Sequence, residues 1–559
     1  MSKRTRTILA AALALSLVAL AFGAAGCTPK ASSGTASATD TPVKGGTLSY
    51  YINEPAYIDP YNTQESEGTN VEQSLFDSLT AINPLTSKLE PGAAESWKVN
   101  SDGTVWTFKL RKGATFHDGT PVTAKDFKYA WERIANPATD PKNPSVISYH
   151  LAPVKGFQEM SDGKATTLTG VKVVDDLTLE VTLTEPFADF EYVVAHPALA
   201  PVPQAAVEKD PKAFAEMPIG NGPFKMAEPW KHDQFIKVVR FDGYYGTKAN
   251  LDGIDFKIFK DEDTAFREFE AGNLDFTSIP TGKIAASKTK YGVSTDGYTV
   301  NPKKQVLLGA ETAVYYMLMN NTDPVLKNPK VRAAISMAIN RQALCDTIYE
   351  GTRKPATGIV PPGIVGFQPN AWASTKYDVE GAKKMLADAG YPGGAGISEL
   401  SLSFNTGAGH EKVMELVGSD LAKIGVKTKP DGVEWAQYLK QLDAGTYQIG
   451  RLGWIADYPI FDNFINPIFQ SKSGDNKSRF VDASVDSAIT DARKITDSAK
   501  RIAAYQAIEK TIGEQTPVAP LTFYAHRHVG SSRVHNLIYS PMGLGAFDKC
   551  WIVAPAATK

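Results

Sequence analysis

The stretch Tyr447-Gln448-Ile449-Gly450-Arg451-Leu452-Gly453-Trp454-Ile455-Ala456-Asp457-Tyr458-Pro459 joins one cation and one anion to an apolar, β-like run. In an extended strand alternate residues share a face, so Arg451, Gly453, Ile455 and Asp457 are expected to point the same way. At the rise of a strand the two charges stand roughly 20 Å apart, and the long arginine side chain shortens that gap. A short zwitterionic chain laid along such a strand finds an anion for its ammonium at Asp457 and a cation for its carboxylate at Arg451. Gly453 leaves room between them for ligand backbone to approach. Main-chain hydrogen bonds along a strand do not depend on ligand side chains, which suits a binder of many different sequences.

Signatures of catalysis are missing from the sequence. It contains no HExxH, CxxC or GxSxG and no P-loop. Gly407-Ala408-Gly409 begins like a dinucleotide loop, but Lys412 stands where its third glycine would be. His526 and His528 sit two apart and would share a strand face; most such pairs are ordinary surface residues, so neither metal nor cofactor is expected. Lys and Arg number 59 against 61 Asp and Glu, a formal net charge of −2. That balance supplies no positive excess for nucleic acid or anionic lipid.

The elements that must position these residues follow from periodicity. A chain of 559 residues exceeds one hydrophobic core, so two or three domains are expected. The fold opens with a strand near Gly45–Tyr50. Trp97–Leu110 alternates after the turn pair Asp102-Gly103 and reads as a hairpin. Thr123 caps a helix running through Trp131, with Asp126 three residues on. Gly170–Leu183 reads as two strands about Asp175-Asp176, Ile254–Phe259 as a strand, and Thr264–Ala271 as a helix ended by Gly272. Asn328–Tyr349 forms a helical pair. Helices over Val379–Ala389 and Glu411–Ile424 end at Gly390 and Gly425. Short strands mixed with helices throughout give an α/β class.

The N-terminus reads as an export signal. Lys3, Arg4 and Arg6 precede an uncharged stretch whose centre, Ile8–Phe22, is rich in Ala and Leu. Ala24-Ala25-Gly26-Cys27 resembles the lipobox of bacterial lipoproteins, in which the cysteine is acylated and becomes the new N-terminus; Ala24 stands where such boxes usually have Leu. The following Ser, Thr, Ala and Pro read as a flexible tether. Cys345 and Cys550 lie far apart in sequence, which leaves open a disulfide or two buried thiols.

Three consecutive stretches carry a resemblance. They are Pro91-Gly92-Ala93-Ala94-Glu95-Ser96-Trp97, then Trp106-Thr107-Phe108-Lys109-Leu110-Arg111-Lys112-Gly113, then Phe116-His117-Asp118-Gly119-Thr120-Pro121-Val122-Thr123-Ala124-Lys125-Asp126-Phe127. Further matches follow in order at Gly170–Leu183, Gly220-Asn221-Gly222-Pro223-Phe224, Ala271–Asp275, Val331–Arg341 and Tyr377–Pro392. From Gly45 to the C-terminus the chain resembles extracellular solute-binding protein family 5, the oligopeptide- and dipeptide-binding proteins. The resemblance implies an α/β, two-lobed periplasmic-binding-protein-like fold with an extra domain, of class II, cluster C type. The expected organisation is a signal peptide at 1–26 and a lipidated Cys27 with its tether at 27–44. Lobe I is expected from 45–80, 216–308 and 524–559, the extra domain from 81–215, and lobe II from 309–523.

The same resemblance assigns roles. Arg451, Gly453, Trp454, Ala456, Asp457 and Tyr458 match the family segment that runs along the ligand, in which the Asp binds the peptide's α-ammonium and the Arg can meet a carboxylate. Asn405, Thr406 and His410 match a stretch whose His can meet the carboxylate of a longer peptide. Glu434-Trp435 matches a pair whose Trp lines a side-chain pocket, and Gln64-Glu65-Ser66 aligns loosely with a second contact stretch. Some members have a paired Cys where Ile455 stands. His117, in the family marker, is not expected to touch ligand. The implied function is a lipid-anchored, extracytoplasmic carrier, expected to be monomeric, that delivers short peptides to ABC transporter permease subunits. Relatives that carry nickel chelates, haem, oligosaccharides or opines form the alternative. Asp457 favours an amine-bearing ligand over these.

Overall fold

The computed structural model describes residues 41–554 apart from 407, 408 and 434. The expected signal segment, Cys27 and the tether up to residue 40 lie outside the described residues, as does Glu434.

Period-2 alternation builds the hairpin Ala94–Val99 and Val105–Leu110, which pair antiparallel across Asp102-Gly103. Trp106, Phe108 and Leu110 point inward and are buried. Thr178–Thr182 and Val171–Asp175 extend the pair to a four-stranded sheet. The helix Ala124–Ala135 starts as its capping pattern dictates: the Asp126 carboxylate accepts from the Thr123 backbone N–H at 2.7 Å and from its hydroxyl at 2.8 Å. Phe127, Trp131 and Ile134 form its buried face. His117 joins two of the sequence motifs. Its Nδ1 accepts from the Gly220 N–H at 3.1 Å, and its Nε2 lies 3.2 Å from the Gly222 carbonyl.

Two larger sheets follow. The seven-stranded sheet has the order Val306–Leu307, His528–Gly530, Phe276–Ser278, Thr47–Ile52, Gly253–Ile258, Phe235–Arg240, Phe224–Met226. The six-stranded sheet has the order Lys354–Pro355, Val518–Ala525, Ala310–Met319, Ile449–Ile455, Leu400–Asn405, Thr428–Val433. Both mix parallel and antiparallel pairs. One apolar core fills the space around the seven- and four-stranded sheets; two others cover opposite faces of the six-stranded sheet. The helices Val379–Asp388 and His410–Ala422 pack on one of those faces. Each ends before a glycine at positive φ, Gly390 at 93° and Gly425 at 83°, where a side chain would strain the backbone.

The chain passes between the two large sheets through two adjacent connections, Leu308-Gly309 and His526-Arg527, tied by a hydrogen bond from the His526 N–H to the Gly309 carbonyl at 2.8 Å. The His526 ring is wedged there, Nδ1 2.9 Å from Glu311 and Nε2 2.8 Å from the Ser540 carbonyl. Cys345 and Cys550 are both buried and free. Of the two readings left open for them, the structure has the buried thiols.

Candidate ligand-binding site

The strand Ile449–Ile455 lies inside the six-stranded sheet, antiparallel to Ala310–Met319 and parallel to Leu400–Asn405. Leu452 and Trp454 pack on the core formed by Val314, Tyr316 and Leu318. Arg451, Gly453 and Ile455 occupy the opposite face, where Tyr315 stands opposite Gly453 and Met317 opposite Arg451. Ile455 remains 50% exposed. The strand ends there, so Asp457 sits just beyond the pleat rather than within it.

The Arg451 end is a buried cationic pocket. Arg451 is 8% exposed, and its Nε and Nη2 both donate to Asn405 Oδ1, the former at 2.9 Å. Its guanidinium lies 5.8 Å from the Tyr315 ring centroid. Tyr438 clamps the Arg451 backbone, donating to its carbonyl at 2.7 Å and accepting from its N–H at 2.9 Å. His410 opens the helix His410–Ala422; its Nδ1 is 3.1 Å from the Tyr315 hydroxyl. Burial, with Arg451 adding to it, pushes the His410 pKa down to about 4, so the ring is neutral at physiological pH. A second guanidinium, Arg353, lies against Tyr349 at 4.1 Å and Tyr524 at 3.9 Å from the ring centroids. Sequence reasoning missed Arg353. It arrives through the pairing of Lys354–Pro355 with Phe523 and Thr522, a long-range register with no local signal.

The room expected over Gly453 is already used within the protein. A side chain there would bring its Cβ to 2.5 Å from the Tyr524 hydroxyl. Gly453 therefore admits Tyr524 to the face between the two charged ends.

The Asp457 end differs in kind. Its carboxylate accepts from Asn463 Nδ2 at 3.0 Å and from the Tyr149 hydroxyl at 3.3 Å. Asn463 Oδ1 in turn accepts from the Asp457 backbone N–H and the Trp454 indole N–H, both at 3.1 Å. Among the described residues no Lys or Arg pairs with Asp457. Burial pushes its pKa up to about 6. Tyr149 comes from the turn Ser148–Leu151, and its ring lies tilted against that of His150 at 4.2 Å, which in turn lies 4.4 Å from that of His196. Neither Tyr149 nor Asn463 was foreseen. Asn463 sits six residues along, in the helix Asp462–Phe469, directly after Asp462, and nothing in the local sequence sets it apart from that neighbour. Tyr458, 9% exposed, belongs to the core around the seven-stranded sheet.

A cavity of about 950 Å³ opens at this end, lined on one side by Ile455, Ala456 and Asp457 and on the other by Gln64, Glu65 and the loop 540–548. Glu65 precedes the helix Ser66–Leu75 and accepts from the Ala56 N–H at 2.9 Å. The structure thus brings Asp457, Ile455 and Glu65 to one cavity, and Arg451, Asn405 and His410 to the pocket at the far end of the strand. Trp454 points to the other face. Trp435 opens the helix Trp435–Ala444, and its side chain lies outside the described residues. No cluster of three or more His, Cys, Asp or Glu among the described residues is placed to hold a metal.

Comparison with known proteins adds the family context. The model of bacterial extracellular solute-binding proteins, family 5, matches residues 88–476. The periplasmic oligopeptide-binding protein OppA of Escherichia coli is 32% identical over 486 residues, 85% of this chain and 86% of its own. The structure of the Escherichia coli murein tripeptide binding protein MppA superposes with a TM-score of 0.75 at 29% identity, covering 92% of this chain and 99% of that one. Haemophilus influenzae OppA in complex with the peptide RPPGFSPFR does so with a TM-score of 0.73 at 28% identity, covering 91% and 99%. With its mixed sheets, the chain has the two-lobed class II binding-protein fold.

Proposed function

The chain belongs to the bacterial extracellular solute-binding proteins of family 5, and from that premise we propose that it captures short peptides outside the cytoplasm and delivers them to an ABC-type peptide permease. The observation that carries this reading is Asp457, a carboxylate that pairs with no Lys or Arg among the described residues, at the end of a strand that also carries Arg451, with Arg353 near it. A free peptide has the matching polarity, one ammonium and one carboxylate separated by a variable extended chain. Asp457 takes the α-ammonium, with the Tyr149 hydroxyl as its neighbour. Arg451 and Arg353 attract the carboxylate, with neutral His410 and Asn405 as hydrogen-bonding groups beside them. No bond is made or broken in this cycle, so the chain acts as a carrier and not as an enzyme.

The seven-stranded sheet draws its strands from 45–80, 216–308 and 524–559, which we assign to lobe I. The four-stranded sheet lies within 81–215, the extra domain. The six-stranded sheet falls within 309–523 apart from the last two residues of Val518–Ala525, and forms lobe II. Leu308-Gly309 and His526-Arg527 are the hinge on which the lobes close over the ligand as a monomer. Acylated Cys27 and the tether hold the carrier at the outer face of the cytoplasmic membrane. Native mass spectrometry of the purified protein, incubated with labelled tri- and tetrapeptides, tests the reading. Retained peptides returned intact support it; hydrolysed peptides, or retention of a non-peptide ligand only, overturn it.

A further inference from the structure

The cavity beside Asp457 does not lie between the two charged ends of the strand. Arg451, Gly453 and Arg353 are not among its walls, which run instead from Asp457 along the helix Ser66–Leu75 to Asp77, Tyr245 and Phe547. A peptide whose α-ammonium sits at Asp457 places the side chain of its first residue beside this space.

The charge lining the cavity is strongly one-sided. Among the described residues that wall it, Glu65, Glu67, Asp77, Glu90, Asp457 and Asp548 are carboxylates, and Arg111 is the cation. Arg111 donates from Nε to the Gly92 carbonyl at 2.7 Å and from Nη2 to that of Pro91 at 3.3 Å, and its charge also favours the ionised form of Asp77. Three of these carboxylates accept hydrogen bonds from neutral groups. Glu65 accepts from the Ala56 N–H, Glu67 from the Asn53 side chain at 3.1 Å, and Asp77 from the Tyr244 hydroxyl at 2.7 Å and that of Tyr245.

Three buried carboxylates elsewhere sit in arginine forks, Asp59 with Arg133, Asp189 with Arg501 and Asp462 with Arg493, each at 2.6 Å, while the buried Glu509 accepts from the Ile359 and Val360 N–H groups. Around the cavity that pairing is withheld. Carboxylates gathered around one cavity repel one another and gain from any cation that enters. With Asp457 already matched to the α-ammonium, the remaining charge calls for a second cation close to the first.

We infer that the cavity selects peptides whose first residue is Lys or Arg, the α-ammonium meeting Asp457 and the side-chain cation entering among Glu65, Glu67 and Asp77. This specificity rests on the peptide-carrier reading above. An aliphatic stem suits the approach, because Ile455, Phe547 and Met542 also line the cavity.

The test is calorimetric titration of the full protein with Lys-Ala-Ala, norleucine-Ala-Ala and Glu-Ala-Ala. Norleucine keeps the stem and removes the charge. The Lys peptide should bind about tenfold or more tighter than the norleucine peptide at low salt, and the Glu peptide weakest, with the spread narrowing as salt rises. In the double variant Glu65→Gln, Glu67→Gln, which keeps both acceptors and removes both charges, the advantage of Lys over norleucine should shrink to a few-fold. Equal affinity of the unmodified protein for the Lys and norleucine peptides overturns the inference and leaves the peptide reading intact. Binding of none of the three overturns both. Equally tight binding of 1,5-diaminopentane would make the cavity a diamine site and remove the peptide specificity inferred here.

Discussion

The pKa of Asp457 turns the proposed contact into a pH profile. The carboxylate must be ionised to hold an ammonium, and in the empty site burial pushes its pKa to about 6. Protons therefore compete with ligand as pH falls through that value. The ionised fraction is about nine-tenths at pH 7 and about one-tenth at pH 5, so peptide affinity should fall about tenfold between them and roughly 100-fold by pH 4. An ordinary aspartate, with a pKa near 3.9, would leave affinity almost unchanged to pH 5. On the alkaline side affinity declines again above about pH 8, where the peptide's own amine loses its proton.

The same shift has a consequence for stability. Because the folded pKa is raised, the native state holds more protons than the unfolded chain between about pH 4 and 6, and stability falls as pH rises through that window. A shift of about two units corresponds to about 3 kcal/mol. Asp457→Asn should therefore make the empty protein up to about 3 kcal/mol more stable at pH 7, an advantage that disappears near pH 4. The same variant should bind free peptides about 10²–10⁴-fold more weakly, since losing one partner of an enclosed ion pair costs about 3–5 kcal/mol. Denaturant unfolding and calorimetric titration across pH 4–8 measure both. An affinity flat from pH 7 to 5, or an Asp457→Asn protein that is less stable and binds normally, would show that the carboxylate is a structural cap on Asn463 and nothing more.

Three further outcomes are expected. Asp189→Ala should cost about 3–5 kcal/mol in chemical denaturation, because it strands Arg501 in a site where both side chains are 9% exposed; replacing the pair with Leu and Met should cost less than the single change. Gly453→Ala should cost about 1–3 kcal/mol by driving a methyl against the Tyr524 hydroxyl, and adding Tyr524→Phe should restore most of it. Cys27→Ser should move the protein from the membrane to the soluble fraction or stall its processing in cell fractionation; unchanged membrane partition would rule out the lipid anchor.

Local patterns were read well. The hairpin about Asp102-Gly103, the Thr123 cap and the glycine stops at Gly390 and Gly425 all depend on residues within one turn of each other. The alternation of Arg451, Gly453 and Ile455 was likewise visible, because a strand face needs only its own period. The non-local parts were not. Arg353 reaches the pocket through sheet register, Tyr149 reaches Asp457 across 308 residues, and Tyr524 fills the space over Gly453 from another strand. The acidic walls of the cavity come from residues 65–90, Asp457 and Asp548, and charge that converges only in three dimensions leaves no trace in a linear pattern.

The central claim is that Asp457 binds the free amino end of a peptide. Calorimetric titration of the unmodified protein with a tetrapeptide and its N-acetylated counterpart, each repeated on Asp457→Asn, tests it most directly. Acetylation and the substitution remove the same contact, so each alone should weaken binding about 10²–10⁴-fold, and together they should weaken it little further. An acetylated peptide that binds the unmodified protein as tightly as the free one, or two losses that simply add, would contradict the account.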